Sequence, residues 1–292
     1  MVAAFLAILR PAAAGEVAWT EDAKAALAEA AKEKKDVLIN FTGSDWCGWC
    51  KKLNAEVFSQ DAFVAGAPKS FVFLKLDFPR SKPQTDELKK QNAEWRTKLG
   101  VTGYPTIILA DAEGRPYAKT GYQPGGAEKY MESLGELRKA REKRDAALAK
   151  AEAAEGVEKA KLLDEALSAL DSSLVMPSYS DVVDQILKLD PENKAGLKAK
   201  YEAVALMNKV RTAMRRGKAD EALALADEGL KAMGDTGQAA QDLLFAKSEI
   251  LYRKKDMPGA KATLEAALKA APDSDKAPQI KSILARVFKD TP

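Results

Sequence analysis

This chain of 292 residues predicts an α/β domain with a mixed central sheet flanked by helices, followed by an all-α domain of helical hairpins. Two observations carry that expectation. Up to about residue 145, helical stretches alternate with short and nearly unbroken apolar runs, and the last two runs are joined by a tight turn. Alternation that ends in a hairpin gives a sheet of mixed sense with helices on its faces. Beyond residue 145 no strand-like run occurs, alanine dominates, and apolar residues keep helical spacing to the end.

The elements follow in order. Thr20 is placed as an N-cap with Glu21 and Asp22 in the first turn, where carboxylates suit the helix dipole, and Ala23, Ala26, Leu27 and Ala30 recur at helical spacing. Asp36-Val37-Leu38-Ile39-Asn40-Phe41 reads as a strand covered on both faces. Residues 51–58 make a helix, and residues 71–76 a second buried strand. Pro83 opens a helix with Leu88, Trp95 and Leu99 on one stripe and Gly100 as its stop. Residues 106–109 form a third strand, Asp111-Ala112-Glu113-Gly114 a turn, and residues 116–120 a fourth strand returning antiparallel. A long helical stretch starts at Gly126.

In the second half, Glu221-Ala222-Leu223…Ala226…Leu230-Lys231 matches Gly259-Ala260-Lys261…Leu264…Leu268-Lys269 at an offset of 38 residues. Paired helices at such a period indicate a helical repeat array, whose boundaries resemble tetratricopeptide repeats with most aromatic signature positions lost. A stack of hairpins offers a concave surface for protein clients. The expected organisation is therefore a signal-peptide remnant over 1–15, an α/β domain over 16–145 and helical repeats over 146–292.

Charge and composition prune the chemistry. Forty-six basic and 43 acidic residues leave a net charge of +3, and residues 146–292 carry 23 of each, so the excess belongs to the first half. That balance argues against a nucleic acid partner. The run Arg138-Lys139-Ala140-Arg141-Glu142-Lys143-Arg144 is interspersed with acids and reads as a solvated helix face. Histidine is absent, which removes Ser-His-Asp and Cys-His nucleophiles and every His-ligated metal. Two cysteines are too few for a structural zinc or iron–sulfur site in one chain, so neither metal nor cofactor is expected. Residues 2–9 are apolar and Ala12-Ala13-Ala14-Gly15 has the look of a signal peptidase site, although a basic segment before the apolar run is missing. This favours a periplasmic or otherwise exported protein, with a cytoplasmic one as the alternative. No run reaches the length of a membrane span.

The chemistry is expected at Cys47-Gly48-Trp49-Cys50, directly after a buried strand and at the start of a helix. Free amides and the dipole at a helix N-terminus favour an anion, so Cys47 is expected to be the attacking thiolate, with Cys50 one turn along and able to resolve a mixed disulfide. A structural disulfide is the competing reading, but closing so short a loop removes little chain entropy. Half a metal site completed by another chain is a weaker one, and haem attachment fails because Lys51 stands where histidine is needed.

The segment from Val37 to Phe41 followed by Asp45-Trp46-Cys47-Gly48-Trp49-Cys50-Lys51 resembles the active-site segment of thioredoxin-fold proteins, and Gly100-Val101-Thr102-Gly103-Tyr104-Pro105-Thr106 resembles their second signature. The resemblance covers residues 20–140 and is nearest to exported bacterial thioredoxin-like proteins. It implies a thiol–disulfide oxidoreductase that takes protein thiols and disulfides as substrates and depends on an electron-donor redox partner. By the same resemblance Cys47 is the nucleophile, Cys50 the resolving thiol, and Pro105 a cis-proline facing them, with Gly48 in the intervening pair. Tyr104, before the proline, would pair its backbone with an extended substrate. Trp46 would pack beside the sulfurs and Trp49 would be open to a partner. Lys75 falls where the family often keeps a buried lysine, with a solvent-facing strand-edge lysine as the alternative.

One departure stands out. Asn40 occupies the position where the family commonly has a buried aspartate, and an amide cannot accept the proton of Cys50. The Gly48-Trp49 pair also lacks the histidine of strongly oxidising relatives, which points to a reductase or isomerase-like role. The alternative function is a helical interaction scaffold whose thioredoxin-like part binds peptides with little turnover.

Overall fold

The computed structural model describes residues 16–289. The signal-like segment over 1–15 lies outside them. The chain packs as two compact units that divide between Val182 and Val183.

The first unit is built from β1 (Trp19–Thr20), α1 (Ala23–Glu33), β2 (Asp36–Thr42), α2 (Gly48–Leu53) continued by a π-helical turn over Asn54–Phe58, and α3 (Asp61–Gly66). It continues with β3 (Phe71–Asp77), α4 (Asp86–Lys98), β4 (Thr106–Ala110), β5 (Pro116–Thr120), α5 (Gly126–Glu152), α6 (Gly156–Ser168) and α7 (Ser172–Ser178). The sheet order is β1-β3-β2-β4-β5, with β1 and β2 parallel to β3 and β4 antiparallel to both β2 and β5. All seven residues of β2 are buried, as its nearly unbroken apolar run requires of a strand between two others and under two helical layers. One sheet face, with Val37, Ile39, Phe41, Leu74 and Ile108, packs on the small residues Ala23, Ala26 and Ala30 of α1. On the other, Trp19, Phe58, Phe63 and Phe73 form a chain of ring contacts at 4.9 to 5.8 Å, with Tyr130 of α5 closing on Phe58 at 6.2 Å. This aromatic cluster supports the π turn that prolongs α2.

Several local expectations shift. Thr20 does not cap α1, because it is paired with Leu74 in a short first strand. Asp22 takes the role, its Oδ1 accepting the N–H groups of Lys24 and Ala25 at 2.9 and 3.0 Å; a carboxylate that accepts two amides is the stronger cap. The helix expected from Pro83 starts at Asp86, where the Thr85 hydroxyl accepts the Leu88 N–H. Beyond residue 145, α6 and α7 still belong to the first unit.

After α8 (Ser180–Leu189) come α9 (Leu197–Arg215), α10 (Ala219–Met233), α11 (Gln238–Arg253), α12 (Met257–Ala270) and α13 (Ala277–Val287). The starts of α10 and α12 are 38 residues apart, the offset seen in the sequence. The hairpin α9–α10 shares a core of Val210, Ala222, Ala226 and Leu243 with α11, and α11–α12 shares Ala240, Leu264, Ala267 and Ile280 with α13. Gly229 lets these helices approach closely, since a Cβ there would run into the Leu206 and Leu243 side chains. The buried Gln241 amide donates to the carbonyls of Ala267 and Ala271 at 3.0 and 2.7 Å, tying α11 to the end of α12.

The basic run on α5 is not the solvated face its composition suggests. Arg138, Arg141 and Arg144, three residues apart, lie along one side of the helix. Arg138 and Arg141 both donate to the fully buried Asp36 at the start of β2, whose Oδ2 also accepts the Tyr117 hydroxyl at 2.8 Å. Arg144, itself buried, bridges Asp111 at 2.8 Å and donates to the Tyr179 hydroxyl at 2.7 Å, which in turn donates to the Pro116 carbonyl. Burial pushes the Asp111 carboxyl up, while the Arg115 N–H and the Arg144 guanidinium pull it back. The remaining lysines of the run, such as the exposed Lys139 paired with Glu136, face water. Removing one partner of a buried ion pair strands the other, so Arg144→Ala should lower stability by about 3–5 kcal/mol. Urea unfolding followed by circular dichroism measures this, and a loss below about 1 kcal/mol would mean that water replaces the guanidinium.

Candidate active site

The turn from β2 into α2 is set by Gly43, whose carbonyl accepts the N–H groups of Trp46 and Cys47 at 3.2 and 2.8 Å. A Cβ at Gly43 would lie 2.5 Å from the Trp46 indole, so this turn and that ring cannot coexist with a side chain. Cys47 is the N-cap of α2, and its Sγ accepts the Cys50 N–H at 3.2 Å. The two cysteines are joined in a disulfide with Cα atoms 5.2 Å apart, and each is only 6% exposed. Residues 48–53 are helical from Gly48 onward, one turn earlier than the expected start at 51.

Two carboxylates hold the loop. Asp77, the last residue of β3, accepts the Ser44 N–H and hydroxyl at 2.9 and 2.5 Å. Asp45 reaches the other way and accepts the backbone N–H groups of Arg80, Ser81 and Lys82 at 2.7 to 3.3 Å. The Ser81 N–H, helped by its two neighbours, holds the Asp45 carboxyl below its usual range against the opposing effect of partial burial.

Trp46 is clamped between these loops. Its indole N–H donates to the Phe78 carbonyl at 2.9 Å, the Arg80 guanidinium lies 4.0 Å from its ring centroid, and Tyr104 meets it edge-on at 5.9 Å. Tyr104 also stacks on Phe78 at 5.1 Å. Burial pushes its phenol up, with Arg96 pulling against it, so the hydroxyl stays protonated. The Tyr104–Pro105 peptide bond is cis, and Thr106 closes the turn by donating to the Gly103 carbonyl at 2.8 Å. Trp49, 58% exposed, leans on Tyr122 at 5.1 Å, with the Lys52 ammonium 5.3 and 5.1 Å from the two rings. Glu56, in the π turn, accepts the Tyr122 hydroxyl at 2.6 Å.

The structure thus draws Trp46 and Tyr104 together and leaves Trp49 the more exposed of the two tryptophans. Gly48, the first helical residue, has nothing within 4 Å of where a Cβ would stand. Asn40 lies deeper in β2, in register with Lys75 and Ile107. It is 92% buried, and its Oδ1 has no hydrogen-bond partner among the described residues. Lys75 is not buried: a third of its side chain is exposed and its ammonium pairs with Glu21 at 2.7 Å, which avoids the large cost of burying a lone charge. Asp45, Asp77, Phe78, Arg80 and Tyr122 were not singled out in the sequence. Only Asp45 adjoins the cysteine motif. The others reach it through chain reversals of 30 residues or more, for which no local pattern exists.

A disulfide at the N-terminus of a helix, under an amide donor and inside an aromatic rim, can exchange with external thiols and disulfides. A family model and curated relatives agree. A family model described as a thioredoxin-like domain matches residues 23–134, and the chain belongs to this thioredoxin-like family of thiol–disulfide oxidoreductases. Among curated proteins it is 34% identical over 125 residues to the disulfide bond reductase DsbH of Chlamydia pneumoniae, covering 43% of this chain and 75% of that one. It is also 28% identical over 105 residues to the thioredoxin-related protein DsbJ of the same organism, covering 36% of this chain and 30% of DsbJ. Among solved structures, a DsbH oxidoreductase is 29% identical with a TM-score of 0.40, covering 45% of this chain and 92% of that one. A thioredoxin from Thermus thermophilus is 21% identical with a TM-score of 0.31, covering 41% and 84%.

The Asp45 latch has a pH signature. Its carboxyl is held below its unfolded value, so the stabilisation is complete above the usual carboxylate range near pH 4 and is lost as pH falls through the lowered value. Because the latched segment carries Phe78 and Arg80, Trp46 emission should stay constant from neutral pH to about pH 4 and change below it. An Asp45→Asn protein should lack that transition, and the same acid transition in both would assign it elsewhere.

Proposed function

We propose that this protein is a protein disulfide reductase, with isomerase-like exchange as an accompanying activity, in which Cys47 attacks and Cys50 resolves. The observation that carries this reading is the placement of Cys47 Sγ as the acceptor that caps α2, bonded to the Cys50 N–H. Such a sulfur is the better anion of the two, because an amide donor and the helix dipole act on it. In the reduced protein the Cys47 thiolate attacks one sulfur of a client disulfide. A mixed disulfide forms, the client bond breaks, and the client's second sulfur leaves as a thiolate. Cys50 then gives up its proton to that thiolate or to water and attacks Cys47 Sγ. The Cys47–Cys50 bond forms, the mixed bond breaks, and two electrons have passed to the client. A dithiol donor must return two electrons for the next cycle.

The direction follows from what can stabilise the thiolate. The chain contains no histidine, so no imidazolium can hold Cys47 as an anion and make the pair a strong oxidant. The relative DsbH, named a disulfide bond reductase, supports the same direction. Pro105, Tyr104, Trp46 and Trp49 are proposed as the surface that takes the client, and Asn40 as a residue that leaves the Cys50 proton to water. The hairpins from α9 onward are proposed, in the manner of tetratricopeptide repeats, to bring protein clients to the redox domain. An exported location is proposed from residues 1–15; among the described residues no helix is long and apolar enough to cross a membrane.

Cys47→Ser should abolish reduction of insulin disulfides, and Cys50→Ser should accumulate clients as mixed disulfides on Cys47. Undiminished insulin reduction by the Cys47→Ser protein would remove the reading. In glutathione buffers the pair should show a potential well below roughly −200 mV; a value near about −120 mV would make it an oxidant instead.

A further inference from the structure

The site's rim carries charge that the redox chemistry does not use. Lys51, Lys52, Arg80, Lys82 and Arg96 are all exposed; the first two follow Cys50 directly, and the other three reach Trp46, Ser44 and Tyr104. Lys52 shares its charge with Glu56 at 3.7 Å. The other four have no carboxylate partner among the described residues: Lys51 donates to the Asp45 carbonyl, Lys82 to the Ser44 hydroxyl and Arg96 to the Tyr104 hydroxyl, while the Arg80 guanidinium sits over the Trp46 ring. Asp45, Asp77 and Glu56 are already engaged, Asp45 by three backbone N–H groups, Asp77 by Ser44, and Glu56 by Tyr122 and Lys52.

Sheet order places these cations. Phe78 and Arg80 follow β3, Cys47 follows β2, and Tyr122 follows β5. In the order β3-β2-β4-β5 these three strands run the same way, so their C-terminal ends meet at one edge with the cysteines in the middle. One ledge is Trp46 bearing Arg80; the other is Trp49 and Tyr122 bearing Lys52. Each offers an aromatic face for a side-chain stem and a cation for what lies at its tip.

Resting on the reductase reading above, we infer that the preferred client is an extended acidic segment of polypeptide, with carboxylates flanking its cysteine that are bound by Arg80 on one side of the Cys47–Cys50 pair and by Lys52 on the other. The cations act on encounter and on the lifetime of the mixed disulfide, and the electron balance of the exchange is unchanged. An exposed rim cation steers association in a salt-dependent way, and a guanidinium fixed on an indole meets a carboxylate with little further ordering.

The test uses the full chain, reduced and desalted, in single turnover against three ten-residue peptides. Each is dimerised through one central cysteine and carries Glu, Gln or Lys two residues before and two residues after it. Tryptophan fluorescence in a stopped flow gives the second-order rate constants. At about 20 mM salt the Glu peptide should react about fivefold faster than the Gln peptide, and the Lys peptide more slowly than either, with the spread collapsing at about 0.5 M. In Arg80→Glu the Glu-to-Gln ratio should fall below one, while Arg80→Lys should largely keep it. Because the ratio is taken within one preparation, partial misfolding of a variant does not affect it. Equal rates for the three peptides at low salt, or an unchanged ratio in Arg80→Glu, would overturn the inference and leave the reductase reading standing. No reduction of any peptide would overturn both.

Discussion

Two carboxylates exchanged between neighbouring loops hold this active site in shape. Asp77, at the end of β3, fixes Ser44 in the turn after β2, and Asp45, in that turn, fixes the backbone after β3. The reciprocity matters because each loop carries half of the Trp46 pocket: one supplies the indole, the other Phe78 and Arg80. Charge-assisted bonds to backbone N–H groups are among the stronger polar contacts available near a surface, and they leave few loose donors behind. With the turn held, Cys47 falls at the cap of α2 and the sulfur meets its amide. Gly43 completes the arrangement by leaving the indole the space that any side chain would take.

A second polar construction works at the opposite end of β2. Asp36 and Asp111 are buried carboxylates, and both are answered by arginines of α5. Tyr117 and Tyr179 satisfy the remaining lone pairs and donors, which makes a full network rather than isolated pairs. Its effect is to press α5 against the sheet, and α5 in turn supplies Tyr130 to the aromatic cluster beneath the π turn. The rigidity of the cysteine-bearing helix therefore depends on contacts at both ends of the central strand.

Much of this architecture was readable from residue order, and the pattern of success has a physical cause. The strands β2, β3, β4 and β5 emerged near their true limits because each is a compact apolar run bounded by turn residues. The cysteine pair, Trp46, Trp49, Tyr104 and Pro105 were legible because they sit in two short local motifs. Contacts that close over long chain reversals left no such trace. Asp36 meets Arg138 across 102 residues, and Asp45 meets Arg80 across 35. The short strand β1 was missed because a two-residue strand has no periodicity to display. The basic run of α5 looks solvated by composition, yet its arginines stand three residues apart on a helix and so describe a single face that meets buried carboxylates.

The cap on α2 also ties the local stability of that helix to the electron inventory of the protein. In the disulfide, Cys47 Sγ is a neutral acceptor for the Cys50 amide; in the cycle proposed above it would become an anionic cap as a thiolate and lose the charge again in a mixed disulfide. On the proposed cycle, what holds the first turn therefore alternates between a charge on Cys47 in the reduced protein and a covalent bond to Cys50 in the oxidised one. Amide exchange at Cys50 would then report which of the two restraints is in place, so helix order and redox state are read at the same residue.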